Sequence, residues 1–221
     1  MSVKKFILSG DKLIHPIVVL CTNDNFDQVT KLIKLFSSSP ECSRELSILS
    51  STPGIKIDFT RDNLKFQGYW LAQKKEIRVK NNLLLVNMLQ TFIFELCNAN
   101  NPDLAENKIK YSNFFNADQY AIYIEEAEHK SFKKASSLYT DLVFRNPQSL
   151  LIPNGIELEQ LMMLYNDETY LSYVKNNGHY YRYVDAYNSA MNKRDSFFTR
   201  QNENNLKGNH YDNNSLQKSF Y

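Results

Sequence analysis

The spacing of hydrophobic side chains changes along this 221-residue chain, and each change predicts an element. Ile17-Val18-Val19-Leu20, within Ile14 to Cys21, is a continuous apolar run of strand length. Phe26, Val29, Leu32, Ile33 and Phe36 then recur at helical spacing behind Asn25, a residue suited to an N-cap. The serines and proline of Ser37 to Glu41 end that helix, and Leu46 to Leu49 predict one further helical turn. From Gly54 to Lys80 the period drops to two. Ile55, Ile57 and Phe59 alternate with polar residues, as do Leu64 with Phe66 and Ile77 with Val79. Arg61-Asp62-Asn63 and Gln73-Lys74-Lys75 are the turn candidates, so the stretch predicts a small antiparallel meander. Asn116 caps a long helix from Ala117 to about Phe144, with Gln119 at the capping-box position. Shorter helices are expected over Ile156 to Tyr165, Glu168 to Lys175 (stopped by Gly178) and Tyr180 to Met191. Residues 200–221 are rich in Asn, Gln, Ser and Lys and read as a polar tail behind a single domain over 1–199.

The most informative segment is Asn81 to Asn101, an apolar helix that follows the meander directly. At about 100° per residue, Asn87, Thr91, Glu95 and Asn98 fall in one narrow stripe with Phe94 beside them. Leu84, Leu85, Met88, Leu89, Phe92, Ile93, Leu96 and Cys97 cover most of the remaining circumference. A helix this apolar is packed on most sides, so its polar stripe must line a cleft or meet polar groups of another element.

The long helix offers such groups. Tyr120, Ala121, Ile124, Ala127, Phe132, Ala135, Leu138 and Leu142 form a broad apolar arc that contains Glu128, with Glu125 on its edge and Glu126 pointing away. A carboxylate buried without a partner is costly, so Glu128 must be protonated or hydrogen-bonded. If the two helices pack together, Glu95, Glu125 and Glu128 share a cleft. Such a cluster can bind a metal or perform acid–base chemistry. It can equally be a structural network joining Glu128 to Asn98, Thr91 or a tyrosine.

Composition narrows the partners. The formal charge of +2 gives no global field for nucleic acid. No apolar run reaches the length of a membrane span, and the N-terminal Phe6-Ile7-Leu8 is too short for a signal-peptide core. The expectation is a soluble protein, cytoplasmic or exported without a cleavable signal peptide. Cys21, Cys42 and Cys97 make no CxxC pair, which fits a reducing compartment. The pair Glu126 and His129 has ExxH spacing, but no second copy exists for a di-iron site and both lie off the apolar arc. The tyrosine-rich stretch Tyr165 to Tyr187 suits either a partner surface or a packed interface, and Trp70 is expected in the core.

A strand hairpin feeding an apolar helix that reads Phe94-Glu95-Leu96-Cys97-Asn98-Ala99 resembles the core of zincin-type metallopeptidases. Their helix carries HExxH, in contexts such as HELxHA. The resemblance spans about Gly68 to His129. It puts Glu95 in the place of the general base, and Phe94 and Asn98 where the two zinc-binding histidines belong. In the glutamate-type members a later helix supplies a third ligand, for which Glu125 or Glu128 is the candidate here. Phenylalanine has no atom that can ligate a metal, so the resemblance implies a degenerate member without zinc-peptidase activity.

These readings predict an α+β fold, a small antiparallel meander packed against a mostly helical body with a zincin-like core helix. The expected function is a binding or effector-type protein with a protein partner and no cofactor or metal. The competing expectation is a hydrolase using Glu95 with Glu125 or Glu128, with an oxygen-ligated metal as an option. Catalytic candidates are Glu95, Glu128 and Glu125; binding candidates are Asn98, Thr91 and Asn87.

Overall fold

A computed structural model describes residues 2–148, 150 and 166–194. It is an α+β protein built on a five-stranded mixed sheet. The strands are β1 (Val3–Leu8), β2 (Ile17–Thr22), β3 (Lys56–Phe59), β4 (Gly68–Leu71) and β5 (Glu76–Val79), in the order β1-β2-β3-β5-β4. The outer pairs β1–β2 and β4–β5 are antiparallel, while β2–β3 and β3–β5 are parallel.

The predicted antiparallel meander over 54–80 is therefore corrected. β3 pairs with β2 and β5 in parallel, and the Leu64–Phe66 alternation lies in a loop that carries the chain out to edge strand β4. The alternation at Ile57 and Ile77 reports burial of these side chains, both fully buried, but period two is the same in parallel and antiparallel ladders. β1 was not foreseen either; it is an exposed edge strand whose Lys4 and Lys5 interrupt the apolar signal.

Two helices cross from β2 to β3: α1 (Phe26–Ser37) and α2 (Pro40–Ser50). The serine–proline break ends α1 and also starts α2, because Ser39 Oγ accepts the Cys42 N–H and Pro40 takes the first helical position. The single turn expected at Leu46 to Leu49 is thus the end of a longer helix. Asn25 precedes α1 without bonding to it through its side chain. Instead its Oδ1 accepts the Thr22 N–H at 2.8 Å and its Nδ2 donates to the Phe59 carbonyl at 2.8 Å, tying β2 to β3.

Helix α3 (Leu85–Asn100) occupies the centre, against β4, β5, α1, α2 and α4. Met88, Leu89, Phe92, Ile93 and Leu96 are fully buried, and Phe92 meets Phe36 edge to face with ring centroids 5.1 Å apart. Burial of each such side chain is worth about 1.5–3 kcal/mol, so α3 is held by packing on nearly all sides. Helix α4 (Ala117–Arg145) carries the Asn116 cap, whose Oδ1 accepts the Gln119 N–H at 2.9 Å. It packs on α3 and, through its other flank, on α5 (Asp167–Asn176) and α6 (residues 179–194).

On that second flank Tyr170, Tyr180 and Tyr187 of the tyrosine-rich stretch are buried in packing, while Tyr173 and Tyr181 are exposed. The same flank also corrects His129, which is buried rather than off the packed surface. His129 Nδ1 lies 2.9 Å from Asp167 Oδ1, and the ring stacks on Tyr170 at 4.1 Å. A wheel projected on one apolar arc does not reveal a helix buried on two sides. No helix among the described residues is long and apolar enough to cross a membrane. The helix expected over Ile156 to Tyr165 and the tail 200–221 lie outside the described residues.

Candidate functional site

A cavity of about 1170 Å³ lies between edge strand β4 and helices α3, α4 and α6. This is at or above the upper end of the roughly 300–1,000 Å³ usual for ligand pockets. From α3 its wall takes Thr91, Phe94, Glu95 and Asn98, the polar stripe and its neighbour. Asn87, the fourth stripe residue, is half-buried and does not reach the wall. From α4 comes Glu128, and from α6 come His179, Arg182 and Tyr183. Trp70 of β4 is half-buried; it packs against the main core, as expected, and also lines the cavity. The chain thus brings Glu95, Thr91, Asn98 and Glu128 to one cavity; Glu125 does not line it but lies 2.9 Å from the cavity residue His179.

Glu95 is 6 % exposed. Asn98 Nδ2 donates to its Oε2 at 3.2 Å, and the backbone N–H of Trp70 donates to the same carboxyl group. Burial, with the neighbouring charge of Glu128 acting in the same direction, pushes the Glu95 carboxyl up to about 8. The close approach of α3 to β4 depends on Gly68. A Cβ there would stand 2.5 Å from Thr91 Cγ2, 2.7 Å from the Arg78 carbonyl and 3.3 Å from Glu95 Cγ. No side chain at Gly68 leaves room for Glu95 to meet the backbone of Trp70.

The second acid pair is one helical turn, three residues, apart on α4. Glu125 is fully buried and Glu128 is 9 % exposed. Tyr183 Oη donates to Glu128 Oε1 at 2.6 Å, and His179 Nδ1 lies 2.9 Å from Glu125 Oε1 and 3.8 Å from Glu128 Oε2. Burial raises Glu128 to about 7, against the lowering effects of His179 and the Tyr183 hydrogen bond. For His179, burial disfavours the charged ring, but the Glu125 hydrogen bond and both carboxylates outweigh it and hold the imidazole above its ordinary value. Burial and the adjacent carboxylates keep the Tyr183 hydroxyl well above the usual tyrosine range.

Sequence reasoning did not find His179 or Tyr183. The signal was a pair of patterns: Glu125 and Glu128 at i,i+3 on α4, His179 and Tyr183 at i,i+4 on α6. Nothing local says that those faces meet. Gly178, at φ +81°, turns the chain between α5 and α6, and Asn177 Oδ1 accepts the His179 N–H at 2.9 Å, which fixes His179 at the first position of α6.

Chemically, the cavity offers carboxyl groups close to neutral pH and an imidazole, all inside aromatic walls. A proton can be held or released at Glu95, and a cation can be received by the Glu125–Glu128–His179 group. The chain matches no protein-family model, no curated protein and no solved structure.

Proposed function

We propose that the protein binds an extended segment of a partner protein in the cavity beside β4, as a binding or effector-type protein on a scaffold that resembles a zincin core without zinc-peptidase activity. The observation that carries this reading is the position of β4. It ends the sheet, pairs only with β5 among the described residues, and contributes all four of its residues, Gly68 to Leu71, to the cavity wall. Such an edge accepts an added strand through its backbone groups, while side-chain pockets supply selectivity. The aromatic side chains of Phe66, Trp70, Phe94 and Tyr120 on the cavity wall suit the apolar side chains of such a segment. The absence of zinc-peptidase chemistry is supported by Phe94, which has no ligating atom, so that α3 cannot present the pair of imidazole nitrogens at i,i+4 that holds zinc.

Trp70 is the only tryptophan in the chain and lies on the cavity wall, so its fluorescence reports occupancy. Titration in EDTA with pools of short randomised peptides is expected to give a saturable shift for at least one pool. Ala186→Phe, which fills the cavity from α6, is expected to abolish the shift while the far-ultraviolet dichroism stays unchanged. No saturable shift with any pool overturns the reading.

A second reading, a hydrolase, is favoured by one observation: Glu95 and Glu128 face the same cavity with carboxyls raised to about 8 and about 7. One group held protonated beside one that ionises more readily is the arrangement general acid–base catalysis uses. Mass spectrometry of the same peptide mixtures separates the two. Intact peptides support binding, and cleavage that disappears in Glu95→Gln supports the hydrolase.

A further inference from the structure

We propose that Glu125, Glu128 and His179 form a binding site for a divalent first-row metal ion, with Mn²⁺ and Zn²⁺ as the ions it suits. The site is separate from the α3 positions that the zincin resemblance points to, and it stands whether or not a peptide occupies the cavity.

The donors are already gathered. One carboxylate oxygen from each glutamate and one imidazole nitrogen all lie within 4.8 Å of one another. Two of the separations are 2.9 Å, from His179 Nδ1 to Glu125 Oε1, and 3.8 Å, from the same nitrogen to Glu128 Oε2. Bonds of about 2.0–2.1 Å at tetrahedral angles place ligand atoms roughly 3.4 Å apart, between those two values. Small side-chain rotations therefore suffice.

The group is not a completed ion pair. Glu128 Oε2 is buried without a hydrogen-bond partner among the described residues, and Glu125 Oε2 is buried with no partner within hydrogen-bond distance, although the Tyr170 hydroxyl interacts with that carboxylate. A His–Glu pair uses one oxygen of Glu125 and leaves both of these without a partner at hydrogen-bond distance, a state that buried carboxylates avoid. A dication meets both, and it balances two carboxylates where one imidazolium balances only half their charge. On binding, the proton shared between Nδ1 and Oε1 leaves to solvent and the nitrogen lone pair turns to the ion.

The surroundings have the form of an outer shell. Tyr183 holds Glu128 through Oε1 and leaves Oε2 to the ion, and the Tyr170 hydroxyl faces Glu125. The neighbouring cation Arg182 is drawn away over the Phe66 ring, 3.9 Å from its centroid. His179 is only partly buried and lies on the cavity wall, which supplies an entry path and an open coordination position. Mixed nitrogen and oxygen donors favour Mn²⁺ or Zn²⁺ over Ca²⁺, which takes oxygen ligands alone.

The full chain, stripped with EDTA and dialysed, is titrated with MnCl₂ or ZnCl₂ and analysed for bound metal. One equivalent is expected for at least one ion. Glu125→Gln and His179→Ala are each expected to weaken binding by at least about tenfold, and Tyr183→Phe, acting through Glu128, by about tenfold. Glu95→Gln is expected to leave the stoichiometry unchanged. Because a ligand variant can fail to fold, the wild-type protein loaded with Mn²⁺ is also examined by pulsed electron paramagnetic resonance, which should show a directly bound imidazole nitrogen. Substoichiometric binding of both ions, binding unaffected by Glu125→Gln in a folded variant, or bound Mn²⁺ without the nitrogen signal overturns the site. Loss on Glu95→Gln alone would move the ion to α3 and equally overturn it. The peptide titration with Trp70 is run in EDTA, so its outcome is independent of this one.

Discussion

The Tyr183 hydroxyl donates a 2.6 Å hydrogen bond to Glu128 Oε1, joining α6 to α4 at the acid cluster. Both residues are largely removed from solvent, so the bond fixes the face that α6 turns toward the cavity. Tyr183→Phe removes the donor and leaves the oxygen unsatisfied. It is expected to cost about 1–3 kcal/mol in urea denaturation. The Glu128 carboxyl, without the bond that favours its ionised form, is expected to titrate above its present value of about 7.

Glu128 itself separates charge from shape. Glu128→Gln keeps the volume and an acceptor for Tyr183, and is expected to be mild for stability. Glu128→Leu strands the Tyr183 hydroxyl and is expected to cost about 1–3 kcal/mol, read from the shift in denaturation midpoint at constant slope.

Gly68 sets the distance between β4 and α3. In Gly68→Ala the flexible end of Glu95 can move, but the Arg78 carbonyl 2.7 Å away is backbone in the adjacent strand. A loss of about 1–3 kcal/mol is expected, together with a change in Trp70 emission as β4 is pushed off the helix. An unchanged melting temperature would show that the strand shifts freely.

The Glu95 carboxyl titrates at about 8 in the folded protein against an ordinary value of 4.5. The unfolded chain therefore releases this proton first. The favourable contribution of the protonated group is fully present below about pH 4.5, declines as pH rises, and is lost once pH passes about 8. Glu128 on α4, raised to about 7, and His179 on α6, held above its ordinary value by the two carboxylates beside it, face the same group. The difference between wild type and Glu95→Gln isolates the one carboxyl. Glu95→Gln is expected to gain on wild type between pH 5 and 8, by a few kcal/mol at most since each unit is about 1.4 kcal/mol, and not to gain further above that range. Parallel stability curves across this range would refute the shift.

Much of this architecture is readable residue by residue. The helical spacing from Phe26 to Phe36, the apolar circumference of Leu85 to Cys97 and the Asn116 cap each encode a local element, because helix period and capping depend on neighbours a few residues away. The polar stripe of α3 carries tertiary information as well: a helix buried on every other side must turn Thr91, Glu95 and Asn98 toward a shared polar space, and these residues do line the cavity. The inward-facing Glu128 is legible in the same way, from an acid placed within an apolar arc.

What the sequence left open is decided between elements far apart in the chain. Period two at Ile57 and Ile77 cannot distinguish a parallel from an antiparallel neighbour, because side-chain alternation is the same while the hydrogen-bond partners differ. His129 lies off the apolar arc on one wheel and is nevertheless buried, against α5. His179 lies 54 residues from Glu125 and joins it only because Gly178 turns the chain and α6 packs along the second flank of α4. Local pattern specifies which face of a helix is buried. Only the packing of α3, α4 and α6 specifies which acids that burial brings together, and with them the chemistry of the cavity.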